Sequence, residues 1–465
     1  VRNLRPAGLK PRGWWHQLTV PQFTVVTGLL VIAFGTLVMA TPLCSTERVG
    51  LWEALFTVTS AITVTGLSVI DIGRDLTPVG QMVLAGLILT GGLGLMAITT
   101  FLQGFVQGRS GLRHRLDKGR SLDEFGVGGI GPTFHKIIIV AAALIGLGTV
   151  LLYGFGFTDI KNPAERLWAA LFHCISAYNN AGFGLWQDSL CNYRGNVVVN
   201  AVIGVLIVTG GIGWRVANDI WVNRFRLERI ARLSLHTRLV IRSTLLLIVV
   251  GAVGLLFTEQ FASEQLLREL NWLERIQVTL FQSITTRTAG FNTVPLTVST
   301  FSDSALLLMM TLMFIGASPG SSGGGIKTTT FAALVAATRS TLRGEPDVVV
   351  RNRKISDKLV LRAVAVALAS ALFVLGMAML LSLGETAAVG EDRSFSFLEN
   401  LFTCISAFGT VGLDLGVTAQ LGRWGQLVLM VGMFVGRIGI LLLLSAIYGS
   451  RSRARIGYPV EELYI

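Results

Sequence analysis

The sequence predicts an all-α polytopic membrane protein. Four covalently linked units, each a span, a short segment and a second span, surround one axis, giving eight transmembrane helices plus four re-entrant half-helices. Three observations carry this. Of 465 residues, 52% are hydrophobic and only 14% charged, where soluble chains carry roughly 25% charged residues; mean hydropathy is +0.64. Windows such as Phe23–Ala40, Val79–Phe101, Ile137–Leu152 and Leu427–Tyr448 hold few or no charges, and about 20 apolar residues cross a bilayer. Between such windows a short glycine-ended segment recurs four times.

The elements follow in order. The basic start, Arg2 to Arg12 within residues 1–20, runs into a full-length span without a small-residue cleavage site, so that span is expected to stay in the membrane. Repeat 1 covers 21–105, repeat 2 134–222, repeat 3 237–340 and repeat 4 356–449, with a tail at 450–465. First spans are expected near 21–42, 134–156, 237–258 and 358–383, and second spans near 78–101, 196–221, 304–338 and 421–449.

The short segments align on a glycine: LFTVTSAITVTGLS (55–68), LFHCISAYNNAGFG (171–184), LFQSITTRTAGFNT (280–293) and LFTCISAFGTVGLD (401–414). Gly66, Gly182, Gly290 and Gly412 are 116, 108 and 122 residues apart. From Phe to Gly is ten residues in three copies and nine in the third. Runs of this length are too short to span and read as re-entrant. Irregular backbone at membrane depth is tolerated only against protein or a water-filled path. A half-helix whose negative end meets an extended glycine turn aims carbonyls at an axis and favours a cation there. Four such turns make a ring of carbonyls able to replace a cation's water shell. The candidate ion-binding filter is therefore Val64, Thr65, Gly66 and Leu67; Asn180, Ala181, Gly182 and Phe183; Thr288, Ala289, Gly290 and Phe291; and Thr410, Val411, Gly412 and Leu413. A single TVTG or NNAG is usually only a cap or turn; the fourfold repetition carries the reading.

Charge sorts by connection. Lys and Arg cluster at 2–12, 109–120, 215–242, 339–362 and 451–455, whereas the intervening connections carry Glu259, Glu264, Glu269 and Glu274, or Glu385, Glu391 and Asp392. That is the positive-inside pattern and places both termini in the cytoplasm. The net charge of +12 then reports topology and attraction to membrane lipid, not nucleic acid.

The segment GASPGSSGGGIKTTTF (316–331) interrupts the second span of repeat 3 with one Pro and five Gly in ten residues. Gly and Pro cost about 1 and 3 kcal/mol against Ala inside a helix, so the chain unwinds there. A loop below the filter can obstruct the path and move aside, which makes Gly316, Ala317, Ser318, Pro319, Gly320, Ser321, Ser322, Gly323, Gly324 and Gly325, with Lys327, the candidate gate; the plainer alternative is a kink. Arg437 joins this set. It lies fourteen residues from both Arg423 and Arg451, roughly 20 Å from either end, and a central charge costs about 2.5–3.5 kcal/mol. It is expected to face the bundle interior, holding the loop's carbonyls or acting as an electrostatic barrier.

Other residues weigh less. Asp71 and Asp414 can enrich cations at the mouth, Asn179, Asn292 and Arg287 flank the turns, and His173 is expected to be packed. Cys44 and Cys191 fall on the outer side and can pair, while Cys174 and Cys404 pack as small hydrophobes. GVGGIG (126–131) lacks a preceding strand, and Ile326 separates Gly325 from Lys327, so neither is a nucleotide site. No nucleophile–base pair or metal spacing is visible, and the chain is expected not to be an enzyme.

The four glycine loops, TRTAGF (286–291) and GASPGSSGGGIKTTT (316–330) resemble the Trk/Ktr/HKT superfamily of potassium-uptake proteins over roughly 20–465, most of all the membrane, pore-forming subunit of Ktr systems. The resemblance implies potassium as the transported ion, with Gly at all four filter positions going with potassium selectivity, and sodium as activator. It implies a multi-pass protein of the plasma membrane, a homodimer with one pore per subunit, and a cytoplasmic nucleotide-binding regulatory ring of the RCK type on the inner face. It places Arg287 as a brace of its loop. The apolar-ended tail, RIGYPVEELYI (455–465), is expected at a subunit interface. Rival readings are a sodium-selective or poorly selective relative, a secondary solute transporter with broken helices, and an intramembrane enzyme.

Overall fold

The computed structural model describes residues 20–46, 49–92, 130–222, 233–261, 270–350, 353–387 and 395–448. The N-terminal stretch 2–12, the basic run 109–120 and the tail 450–465 lie outside the described residues.

Among the described residues four helices are long and apolar enough to cross a membrane, and each is the first span of a repeat: α1 Val20–Met39, α4 Ile130–Leu151, α8 Leu235–Phe261 and α12 Asp357–Ala387. Each is followed by a half-helix: α2 Leu51–Thr63, α5 Pro163–Tyr178, α9 Trp272–Thr285 and α13 Phe397–Gly409. With 13–16 residues these reach roughly 20–24 Å, short of a hydrocarbon core of about 30 Å. Their starts are fixed locally. Asn162 Oδ1 accepts the Ala164 N–H ahead of a first-turn proline. Ser396 Oγ accepts the Glu399 N–H while Glu399 Oε2 accepts the Ser396 N–H, a reciprocal cap.

The second helices depart from expectation. Repeat 1 has α3 Pro78–Gly92. Repeat 2 has α6 Val197–Ile212 and α7 Trp214–Val222, bent by 97°. Repeat 3 has α10 Asp303–Phe314 and α11 Thr328–Leu342, separated by the unwound segment. Repeat 4 has α14 Arg423–Ile438 and α15 Ile440–Tyr448. The sequence reading placed a break in repeat 3 alone. Repeats 2 and 4 break as well, at Gly213 (φ +90) and Gly439 (φ +88), a backbone region that glycine enters without the penalty of a Cβ.

The half-helices pack against their own flanking spans, and the repeats close on one another. α3 of repeat 1 packs on α5, α6 on α9, α10 on α13, and α14 returns to α2. Every repeat thus leans its second span on the next half-helix, and the fourth completes the circle. Burial is inverted relative to a soluble domain. Leu29, Phe34, Leu245, Leu368 and Leu372 are exposed on the outside, whereas Thr57, Ser60, Ser176, Thr285 and Thr403 are buried. Apolar outside and hydroxyl-rich inside is the arrangement of a protein solvated by lipid.

Candidate functional site: four glycine loops and the segment beneath them

All four half-helices end the same way. The residue two before each glycine adopts a left-handed backbone: Val64 (φ +58), Asn180 (+57), Thr288 (+69) and Thr410 (+49). The glycines are also at positive φ, +95, +70, +79 and +90. In repeats 1, 2 and 4 a pair of bonds closes the helix. Val64, Asn180 and Thr410 N–H donate to the carbonyls of Ala61, Ala177 and Ala407, each at 3.1 Å. Thr65, Ala181 and Val411 N–H donate to Ser60, Ser176 and Ser406 O at 2.8–2.9 Å. This left-handed cap satisfies the last helical carbonyls. Repeat 3 does it one residue shorter: Ala289 N–H reaches Thr285 O at 2.9 Å. The nine-residue Phe-to-Gly gap is thereby absorbed in the cap, and Gly290 keeps its register.

The glycines meet in a ring. A Cβ on Gly66 would strike Ala181 O, one on Gly182 would stand 2.8 Å from Ala289 O, one on Gly290 would strike Val411 O, and one on Gly412 would strike Thr65 O. Each glycine abuts the carbonyl just before the next repeat's glycine, and the cycle 1–2–3–4–1 closes. Only hydrogen fits there. Val64, Thr65, Asn180, Ala181, Thr288, Ala289, Thr410 and Val411, with Leu67, Phe183, Phe291 and Leu413 beyond the glycines, are all buried. Two hydroxyls brace the turns from behind, as Ser60 Oγ and Ser406 Oγ accept the Gly66 and Gly412 N–H groups at 3.0 and 3.1 Å.

The unwound segment lies directly against this ring. Gly324 N–H donates to Thr410 Oγ1 at 2.8 Å, and a Cβ on Gly323 would strike Thr288 Oγ1. Gly316, Ala317 and Ser318 are buried. Ser318 Oγ shares a bond of 3.0 Å with Thr328 Oγ1, and Ser321 Oγ donates to Ser318 O at 2.6 Å. Gly320 and Gly325 turn the chain at φ +73 and +65, and Lys327 Nζ donates to Gly323 O at 2.6 Å. The break in repeat 2 holds the segment from the side. Ser318 N–H donates to Gly211 O (3.1 Å), Trp214 N–H to Gly320 O (3.2 Å) and Ser322 Oγ to Gly210 O (3.3 Å), and Gly213 sits against Pro319 O. This tether was not legible beforehand.

Arg437 does not hold the unwound segment's carbonyls, one of the two roles expected of it. Arg437 donates from Nη2 to Gly91 O, at the inner end of α3 in repeat 1. The guanidinium bonded to the unwound segment is that of Arg287, which donates to Gly316 O at 3.2 Å. The reason is register: Gly91–Gly92, Gly210–Gly211 and Gly436–Arg437 occupy matching places, with Gly91, Gly210 and Gly436 pressed on Ile62, Tyr178 and Phe408 carbonyls of their half-helices. Arg437 therefore points from repeat 4 towards repeat 1, below the ring.

The acids near the mouth are spent on backbone. Asp71 Oδ1 accepts Gly73 and Arg74 N–H, and Asp414 accepts Thr418 N–H at 3.2 and 3.3 Å. His173 is fully buried, stacked on Trp186 at 4.4 Å between centroids and bonded to Ala169 O at 2.8 Å. Cys44 and Cys191 form no disulfide, and neither do Cys174 and Cys404. No cluster of three or more His, Cys, Asp or Glu exists among the described residues.

A closed ring of four glycine turns, set among long apolar helices whose outer faces are exposed, is the arrangement of a multi-pass membrane protein. Comparison with known proteins agrees. The family model for TrkH, described as a cation transport protein, matches residues 17–448, and the chain belongs to that family. It is 34% identical over 450 residues to the Ktr system potassium uptake protein B of Bacillus subtilis (strain 168), covering 97% of both chains. It is 34% identical over 426 residues to the protein of the same name from Vibrio alginolyticus, covering 91% and 90%. It is 30% identical to the potassium/sodium uptake protein NtpJ of Enterococcus hirae, covering 97% and 98%. The fold is shared with the crystal structure of the potassium transporter TrkH from Vibrio parahaemolyticus at TM-score 0.69 and 18% identity, covering 95% of this chain and 86% of that one.

Proposed function

We propose that the chain takes up potassium across the plasma membrane, with sodium as activator, and that dehydrated potassium is held by the carbonyls of the four glycine turns. One observation supports this above the rest: the cyclic contact of each filter glycine with the preceding-residue carbonyl of the next repeat. Such a ring offers oxygens and no charge, which suits a monovalent cation that must bind and leave. The segment 316–325, with Lys327 and Arg437, acts as gate and barrier beneath it. Its bonds to Thr410 and to the repeat 2 break favour a device tied to the filter over a passive kink. The inner face carries the basic connections, both termini are cytoplasmic, and the protein works as a homodimer docked on an RCK-type nucleotide-binding ring.

The test is rubidium-tracer uptake into vesicles in potassium, in sodium and in neither, with Gly290→Ser alongside. Saturable uptake preferring potassium and stimulated by sodium is the expected result. Equal uptake of sodium would favour the poorly selective reading, which the potassium/sodium name of the Enterococcus relative keeps in play. Deleting part of 316–325 should raise flux; unchanged flux would reduce the segment to a kink.

A further inference from the structure

On the second half of the broken span Val335 and Leu342 are exposed and Leu334 is half-buried, while Phe331 packs on Leu247, Leu312 and Ile315. Phe331, Leu334, Val335 and Leu342 lie three, four and seven residues apart on α11, one face of a helix, and Arg339 and Arg343 continue that face at its inner end. Together they line a shallow groove of about 580 Å³. Val335 is 51% and Leu342 83% exposed, and both arginines are exposed.

Depth assigns the two ends of the groove. α11 begins at Thr328, bonded to the segment beneath the ring. Arg339 is eleven residues further on, about 16 Å along a helix axis, and half a hydrocarbon core is about 15 Å. With Thr328 at mid-bilayer and α11 along the membrane normal, Phe331 to Val335 sit at acyl-chain depth, while Arg339 and Arg343, one turn apart, sit at head-group depth. The guanidinium fork matches phosphate oxygens in pairs, which an ammonium cannot do. Nearby acids offset this charge only in part. Glu345 stands 3.9 Å from Arg343, both of them exposed, and Asp347 is paired with Lys354 on the second of two short antiparallel strands, Val349–Val350 and Arg353–Lys354, the first of which packs on α11.

We propose that this groove binds an acidic phospholipid of the inner leaflet, its phosphate on Arg339 and Arg343 and one acyl chain along Phe331, Leu334 and Val335. The lipid holds the helix that carries the unwound segment: Thr328, the first residue of α11, donates its N–H to Ala317 O at 3.3 Å and shares a bond with Ser318 Oγ. Any effect on transport rests on the gate reading above; binding itself does not.

The experiment reads lipid directly and needs no ion flux. The full chain, purified with phosphatidylglycerol or phosphatidylcholine, is examined by native mass spectrometry as wild type, as Arg339→Gln/Arg343→Gln, and as Lys358→Gln/Arg362→Gln, which removes equal charge from α12 outside the groove. Phosphatidylglycerol should be retained over phosphatidylcholine, and retention should fall roughly fivefold per groove arginine removed while the α12 variant keeps it. Equal loss in both variants, or equal retention of the neutral lipid, overturns the site. So does efficient cross-linking between copies of a Val335→Cys chain, which would make the groove a protein interface.

Discussion

Gly290→Ser is the sharpest perturbation of the ring. At φ +79 any side chain costs about 1–2 kcal/mol of backbone strain. Its Cβ would also stand 3.0 Å from Gly182 Cα, 3.3 Å from Gly412 Cα and nearer still to Val411 O. Backbone cannot rotate away as a side chain can, so that carbonyl must retreat by roughly half an ångström, more than sodium and potassium differ in radius. The lesion is made in repeat 3 and the displaced ligand belongs to repeat 4. If one carbonyl ligand of a bare cation contributes about as much as a hydrogen bond to a charged group, roughly 1.5–3 kcal/mol, its loss should lower the preference for potassium at least tenfold. The assay is paired potassium and sodium uptake in vesicles, on protein that passes size exclusion as wild type does. Gly416→Ala is the control: its φ is +85, yet nothing lies within 4 Å of the new Cβ, so it carries the strain without the collision. A Gly290→Ser preference within twofold of wild type, or an equal collapse in Gly416→Ala, would refute the carbonyl-ring argument.

Three further outcomes are expected. Thr410→Val keeps volume but leaves the Gly324 N–H without its 2.8 Å acceptor, an orphaned buried donor worth about 1–3 kcal/mol; melting temperature should fall and tracer flux rise, and unchanged flux would uncouple the segment from the ring. Ser60→Ala and Ser406→Ala each remove the acceptor of a filter glycine N–H and should cost about 1 kcal/mol of thermal stability. Ser176 Oγ has no partner in the equivalent place, so Ser176→Ala should melt with wild type; equal losses at all three would deny the serines that role. Arg437→Ala removes the cation below the ring and its bond to Gly91 O, and initial uptake rates should rise; a fall would rule out the barrier.

The sequence disclosed what repeats and what is locally expensive. Four glycine-aligned segments and a Pro- and Gly-rich interruption stand out in any apolar chain, and at those places the glycine turns meet one another and the helix is interrupted between Phe314 and Thr328. The breaks at Gly213 and Gly439 did not stand out, because a lone glycine in an apolar run costs only about 1 kcal/mol and is common in helices that continue. At Gly213 the neighbours decide: it turns where the Pro319 and Gly320 carbonyls sit against it, a contact made by residues more than 100 positions away, whereas nothing lies within 4 Å of a Cβ at Gly439. The partner of Arg437 was hidden for the same reason, since Gly91 is 346 residues off. Asp71 and Asp414 looked like surface acids, and local turn geometry, invisible to charge counting, employs both as caps.

Fusing four repeats into one chain permits what four identical subunits would not. Where repeats 1 and 2 place Gly92 and Gly211, repeat 4 places Arg437, and among the described residues repeat 3 alone unwinds over thirteen residues, from Ile315 to Lys327, to fill the space beneath the ring. In a symmetric tetramer an arginine at that level would come in fours. Each would carry a burial cost of about 2.5–3.5 kcal/mol, and together they would repel one another and any cation leaving the ring. A loop repeated fourfold would not fit at all, since one copy already touches Thr288, Thr410 and the break at Gly213. On the proposed reading the ring needs four equal parts because a cation is coordinated from all sides, and the control beneath it needs one part of each kind. Selection can therefore change Arg437 or the segment 316–325 without touching a filter glycine, and for that reason selectivity and flux should separate under mutation.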